Sequence, residues 1–182
     1  VWFLTAALLL AATPALAQPA ADRKAETDRL MDALKHAPSE EVARPLEAQL
    51  RQRLLEAGTP AVTLLMSRGL HNLQAQANDD AVEAFTDAIT LDPSLAEAYH
   101  QRAIARYHAG DTMGAIRDLE LTLQHEPRDF AAWRTLAEIA AARDDWKGAY
   151  QAWQKLLDLD PKTPNGQDRL NEFRRKAFGE DA

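Results

Sequence analysis

The sequence predicts an all-α chain, an α-solenoid of three helix-turn-helix units with a helical pair in front and a capping helix behind. Three observations carry this. A pattern recurs at a spacing of 34 residues over 62–95, 96–129 and 130–163. In register, the units place Leu65, Tyr99 and Trp133 fourth, Gly69, Ala103 and Ala137 eighth, Ala81, Ala115 and Ala149 twentieth, and Phe85, Leu119 and Trp153 twenty-fourth. Each unit then closes on an acid followed by proline, with Pro93, Pro127 and Pro161 in the thirty-second position.

The first 17 residues differ from the rest in composition: VWFLTAALLLAATPALA has no charge and ends in small residues before Gln18. This pattern predicts a secretory signal peptide with its cleavage site. Thr13-Pro14 interrupts the apolar run, which falls short of the roughly 20 residues a spanning helix needs. No Lys or Arg precedes it and the chain begins at Val1, so its start is expected upstream or at an alternative initiation codon. The start of the mature chain, Gln18-Pro-Ala-Ala, is expected to be disordered.

Two helices are expected next, over 22–36 and 39–57. Leu30, Met31 and Leu34 make a short apolar stripe on the first. On the second, Val42, Leu46, Leu50 and Leu54 recur every fourth residue. Ser39 suits an N-cap, with Glu40 and Glu41 favourable in the first turn. Pro45 predicts a kink or a late helix start, because proline removes a backbone donor. This pair reads as a degenerate repeat capping the solenoid over 18–61, and Gly58-Thr59-Pro60 separates it from the first unit.

Within the units, a small residue at the eighth position lets two antiparallel helices approach closely. The twentieth-position alanine faces it, and the large residues fill the space on either side. Ser94 with Glu97 predicts a capping box, Asp129 caps the next first helix, and Gly110-Asp111 ends one helix and opens another. One helix pair cannot bury its apolar face alone, so three in tandem imply a continuous core.

These offsets resemble the tetratricopeptide repeat, whose helix-turn-helix unit carries a large apolar residue, Gly, Ala, an aromatic and Pro at the same positions. The resemblance covers 62–163, with departures. The eleventh position, commonly tyrosine in that family, holds Asn72, Arg106 and Ala140, and Tyr107 follows Arg106 directly. The seventh, commonly leucine, holds Arg68 and Arg102 in the first two units. A half-buried arginine needs a carboxylate, so Arg102 is expected to pair with Asp118 on the facing helix.

A last helix is expected over about 167–178, with Leu170, Phe173 and Phe178 on one side and Arg169, Arg174, Arg175 and Lys176 on the other. A solenoid needs such a helix over its last apolar face.

The chain has no cysteine, which excludes disulfides, thiolate metal sites, a cysteine nucleophile and a lipid-modified N-terminal cysteine. Export without disulfides points to the periplasm of a Gram-negative bacterium, with secretion to the medium as the alternative. Net charge is −7, concentrated in the first unit, where Asp79, Asp80, Glu83, Asp87 and Asp92 face only Arg68. With no basic stripe to neutralise phosphates, nucleic acid is not an expected partner. No membrane insertion is expected once the signal segment is removed.

In proteins that this chain resembles, ligands lie in a concave groove lined by the first helix of each unit. The matching positions include Met66, Leu70 and Leu73 in the first unit, then Glu97, His100, Gln101, Ile104, Tyr107 and His108, then Arg134 and Glu138. Met66, Leu70 and Leu73 are expected either to line an open groove or to touch the N-terminal pair. The Lys and Asn clamp that family co-chaperones use for a terminal carboxylate is replaced here by Met66, Leu70, Gln101, Ala131 and Thr135. Heat-shock chaperone tails are therefore not implied as ligands.

No catalysis or cofactor is expected. His100 and His108 stand about 12 Å apart along one helix, too far to share a metal. Glu97 with His100, like Arg134 with Glu138, reads as a surface pair one turn apart. No phosphate loop, nucleophile triad or zinc-ligand spacing occurs. The resemblance implies a non-catalytic adaptor or scaffold; with the apolar N-terminal segment, it is expected in the cell envelope holding a segment of another envelope protein, with Tyr107, His100, Gln101 and Arg134 as polar anchors. The alternative is a self-association module that forms homo-oligomers.

Overall fold

The computed structural model describes residues 20–179. The segment 1–17 expected as a signal peptide lies outside the described residues, as do 18 and 19. Nine helices and no strand occur among the described residues: α1 (Ala20–Lys35), α2 (Glu40–Leu55), α3 (Pro60–Gln74), α4 (Asn78–Leu91), α5 (Ala96–His108), α6 (Thr112–His125), α7 (Phe130–Ala142), α8 (Trp146–Leu159) and α9 (Gly166–Phe178). None of them is long and apolar enough to cross a membrane.

Helices α3 to α8 form three successive hairpins. A Cβ on Gly69 of α3 would stand 2.6 Å from Phe85 Cζ of α4, so the eighth position must be glycine for this ring to lie flat against the backbone. Leu119 fills the corresponding space in the second hairpin among Ala103 and Ala115. In all three turns the fifteenth residue is left-handed, with φ 59° at Gln76, 89° at Gly110 and 59° at Asp144. Only the middle unit supplies the glycine that suits this conformation.

Side chains cap most repeat helices. Asp111, Asp129 and Asp145 accept from Gly114, Ala132 and Gly148 amides at 2.8, 2.9 and 3.0 Å, and Thr59 accepts from Val62 at 3.4 Å. The expected Ser94–Glu97 capping box does not form. Leu95 is the N-cap of α5, one residue too late for Ser94, whose amide and hydroxyl both donate to Asp92 Oδ1 at 3.0 and 2.7 Å. Ser39 holds the N-cap position of α2 without a side-chain capping bond.

The Arg102–Asp118 pair forms as a fork. Arg102 Nε and Nη2 donate to Asp118 Oδ2 and Oδ1 at 2.8 and 2.7 Å. Arg106 Nη1 adds a third bond to Oδ2 at 2.8 Å. Asp118 is only 1% exposed, and the two arginines give its carboxylate three hydrogen bonds.

At the C-terminal end, α9 folds back on the third hairpin. Phe173 is fully buried, edge-on to Trp153 with centroids 5.7 Å apart. Trp153 Nε1 donates to the Gly166 carbonyl at 2.8 Å. Leu170 is half-buried, whereas Phe178 is 50% exposed and lies against Tyr150.

The N-terminal pair behaves differently from expectation in two ways. The helix α2 runs unbroken through an exposed Pro45, with no late start. Its buried face is Ala43, Glu47 and Leu50, while Val42 points to solvent. The pair also reaches the far end of the solenoid: Met31, Leu34 and Leu50 share one core with Phe130, Trp153 and Leu156. Arg128, before α7, pairs with Asp28 and with Asp32, the latter at 3.0 Å.

Candidate functional site

The inner helices α3, α5 and α7 lie side by side, and α5 is tied to α7 by a bond between His100 Nε2 and Thr135 Oγ1 at 3.1 Å. Together they make the concave face. The hairpin of α1 and α2 lies across the first turns of these helices. Leu55 of α2 packs against the core cluster that includes Val62, Met66 and Ala98. Arg53 and Leu54 line a cleft of about 360 Å³ with Leu95 and Glu97. Glu47 then meets Arg134, with Nη2 3.5 Å from Oε2.

This hairpin divides the expected groove in two. Near its covered edge, Glu97 and His100 are buried, which corrects their assignment as accessible groove positions, and Met66 is buried in the core that Leu55 of the N-terminal pair packs against, one of the two outcomes expected for it. Toward the last turns, Leu70, Leu73, Gln101, Ile104 and Tyr107 are half-buried, and His108 and Glu138 are exposed. Those residues form the open half of the concave face.

Arg134 belongs to the covered half. Its Nη2 donates to Thr163 Oγ1 at 2.6 Å and stands 3.7 Å from Asp160 Oδ2. It does not pair with Glu138, since these nearer carboxylates take the guanidinium. Burial pushes the Glu47 carboxyl above its ordinary range, Arg134 pulls it back, and Asp160 adds a further upward push. Glu47 and Asp160 thus converge on one guanidinium.

The second cluster joins successive repeats. Glu97 and His100 come from α5, and Asp129 is the cap of α7. His100 Nδ1 lies 3.8 Å from Glu97 Oε2 and 3.7 Å from Asp129 Oδ2. The Glu97–His100 pair is therefore interior, not on the surface as its spacing suggested. For His100, burial pulls the pKa down, but Asp129 and Glu97 outweigh it and leave it raised. Burial likewise raises Asp129, partly offset by His100. Asp129 was legible in the sequence only as a cap, because the fold alone brings it beside α5.

The family model for the tetratricopeptide repeat matches residues 47–96 and 100–164. The chain belongs to the tetratricopeptide repeat family. Its fold is that of a protein-interaction module. A TPR repeat-containing protein of Rhizobium etli is 26% identical over 156 residues, covering 86% of this chain and 76% of that protein. Among solved structures, MamA superposes with a TM-score of 0.61 at 17% identity, over 88% of this chain and 86% of its own. The first TPR of Spaghetti (RPAP3), solved bound to the HSP90 peptide SRMEEVD, gives a TM-score of 0.61 at 17% identity, over 65% and 94%. The last two are likenesses of fold. The MamA superposition spans more of this TPR chain than the three repeats alone.

Proposed function

We propose that this TPR protein is a non-catalytic adaptor of the bacterial cell envelope, exported by its apolar N-terminal segment and holding a segment of another envelope protein on its concave face. The observation that carries the reading is the open half of that face. Leu70, Leu73, Ile104 and Tyr107 keep partly exposed apolar surface, with Gln101, His108 and Glu138 as polar partners beside them. An extended or helical peptide could bury its apolar side there and satisfy its polar groups at the margin.

The binding seen in a fold relative, an HSP90 peptide on the first TPR of Spaghetti, supports a groove ligand in general terms. It does not carry over in kind. The positions of the carboxylate clamp are apolar or neutral here, and the covered half of the groove is filled by the hairpin. His100 and Arg134, expected as anchors, are committed to internal partners. End-to-end self-association is the weaker reading, since α9 buries Phe173 over the terminal apolar face.

The test is a cross-linking pull-down from a periplasmic extract with the mature chain beside Tyr107→Ala/Glu138→Lys. One abundant partner lost with the double variant supports the adaptor. Recovery of the protein alone, unchanged by the variant, points to self-association. Recovery of the chain only from the cytoplasmic fraction removes the envelope assignment.

A further inference from the structure

We propose that Glu97, His100 and Asp129 form a binding site for a divalent transition-metal ion of the zinc class, built between the second and third repeats and independent of the groove reading. One ligand atom from each residue lies within 4.8 Å of the other two, and all three residues are buried.

What distinguishes this cluster from a chance gathering of charges is how its outer atoms are engaged. Gln101 Nε2 donates to Glu97 Oε1 at 2.7 Å. The Ala132 amide donates to Asp129 Oδ1 at 2.9 Å. Thr135 Oγ1 gives its one hydrogen to the Ala131 carbonyl at 3.0 Å, so toward His100 Nε2 it can only accept, and Nε2 carries the ring proton. Each residue therefore has one atom held from behind and one atom turned inward. This is the arrangement that orients metal ligands, with the second imidazole nitrogen fixing the tautomer.

The inward atom of His100 is Nδ1, which is buried and has no hydrogen-bond partner. It faces Asp129 Oδ2 at 3.7 Å and Glu97 Oε2 at 3.8 Å. A buried ring nitrogen set against two carboxylates calls for a positive charge between them, a proton or a metal ion. In a tetrahedral zinc site with ligand bonds of about 2.0–2.2 Å, neighbouring ligands stand about 3.4 Å apart. On the two edges that include His100, closing the difference takes a few tenths of an ångström, and the Glu97–Asp129 edge, within 4.8 Å, closes as the carboxylates turn toward the ion. An imidazole with two carboxylates suits zinc better than magnesium or calcium, which favour oxygen alone. Three protein ligands leave the fourth position to water. A proton on Nδ1 is the competing occupant, and metal binding must displace it.

Isothermal titration of the full chain with Zn²⁺ near neutral pH tests the site, beside His100→Ala, Glu97→Gln and His36→Ala. One ion per chain is expected, with affinity reduced at least ~10-fold in the first two variants and unchanged in His36→Ala, whose ring is on the surface. Circular dichroism of each variant without metal checks the fold. For the wild-type chain, ¹⁵N spectra of the His100 ring give a readout needing no variant: Nδ1 should lose its proton and shift as Zn²⁺ is added. Absence of saturable binding, binding that survives His100→Ala, or an Nδ1 proton that persists at saturating Zn²⁺ overturns the proposal.

Discussion

Glu47 of α2 and Arg134 of α7 fasten the N-terminal hairpin to the third repeat, with Oε2 and Nη2 3.5 Å apart and Glu47 only 5% exposed. Arg134 stands at a position expected from the sequence to line an open groove, so this contact puts the hairpin over part of that expected groove. The apolar contacts of Met31, Leu34 and Leu50 supply the burial, and the ion pair sets the register of α2 over it.

Reversing that charge with Glu47→Arg should undock the hairpin. Two cations would then share a buried space with the single carboxylate of Asp160, and leaving a buried charge uncompensated costs about 3–5 kcal/mol. Hydrogen exchange should accelerate through α1 and α2, while α5 and α6 keep their protection. Equal acceleration in both regions would mean that the hairpin and the repeats unfold as one unit.

Docking should strengthen in mild acid. The Glu47 carboxyl is raised above 4.5 in the folded chain, chiefly by burial, so the docked state holds its proton more tightly than the undocked state does. Its contribution is complete below 4.5 and is lost as pH rises through the folded value. Arg134, Asp160 and Arg51 are the charges that act on this carboxyl. Exchange rates in α2, corrected for intrinsic pH dependence, should rise toward neutral pH in the wild type. Glu47→Gln, which mimics the protonated form, should remove the slope.

Asp118→Ala should destabilise the chain strongly. It leaves Arg102 and Arg106 facing each other beside a buried space, and the loss is expected at about 3–5 kcal/mol. The urea midpoint of unfolding reads this directly. A loss under about 1 kcal/mol would place the pair among exposed ion pairs.

Phe173→Ala should cost about 3–5 kcal/mol, as large-to-small changes in a packed core do, and should uncover Trp153 and Trp146. Gel filtration across a range of concentrations should then show concentration-dependent oligomers for the variant, with the wild type run beside it as the reference. A monomeric variant would mean that the rest of α9 still covers the end.

Much of the molecule was legible in one dimension. The hairpins follow from the 34-residue period, since contacts such as Gly69 with Phe85 and Arg102 with Asp118 join helices that are neighbours in the chain. Local chemistry misled where two signals competed. Val42 fitted a four-residue stripe, but Ala43, Glu47 and Leu50 give the face that buries, and a glutamate hides such a face from any apolar pattern. Ser94 matched a capping motif whose frame Leu95 displaced by one residue.

The sequence by itself determined the repeat register, the helix pairs, the caps at Asp111 and Asp129, and the family. All are contacts within a unit or between adjacent units, where short loops leave the chain little choice. Only the tertiary structure decided that α2 lies over the start of the concave face, that His100 is interior, and that Asp129 joins it beside Glu97. Those arrangements depend on where one whole element docks on another, and docking is set by shape and by a few buried charges from distant parts of the chain, which leave no period in the sequence.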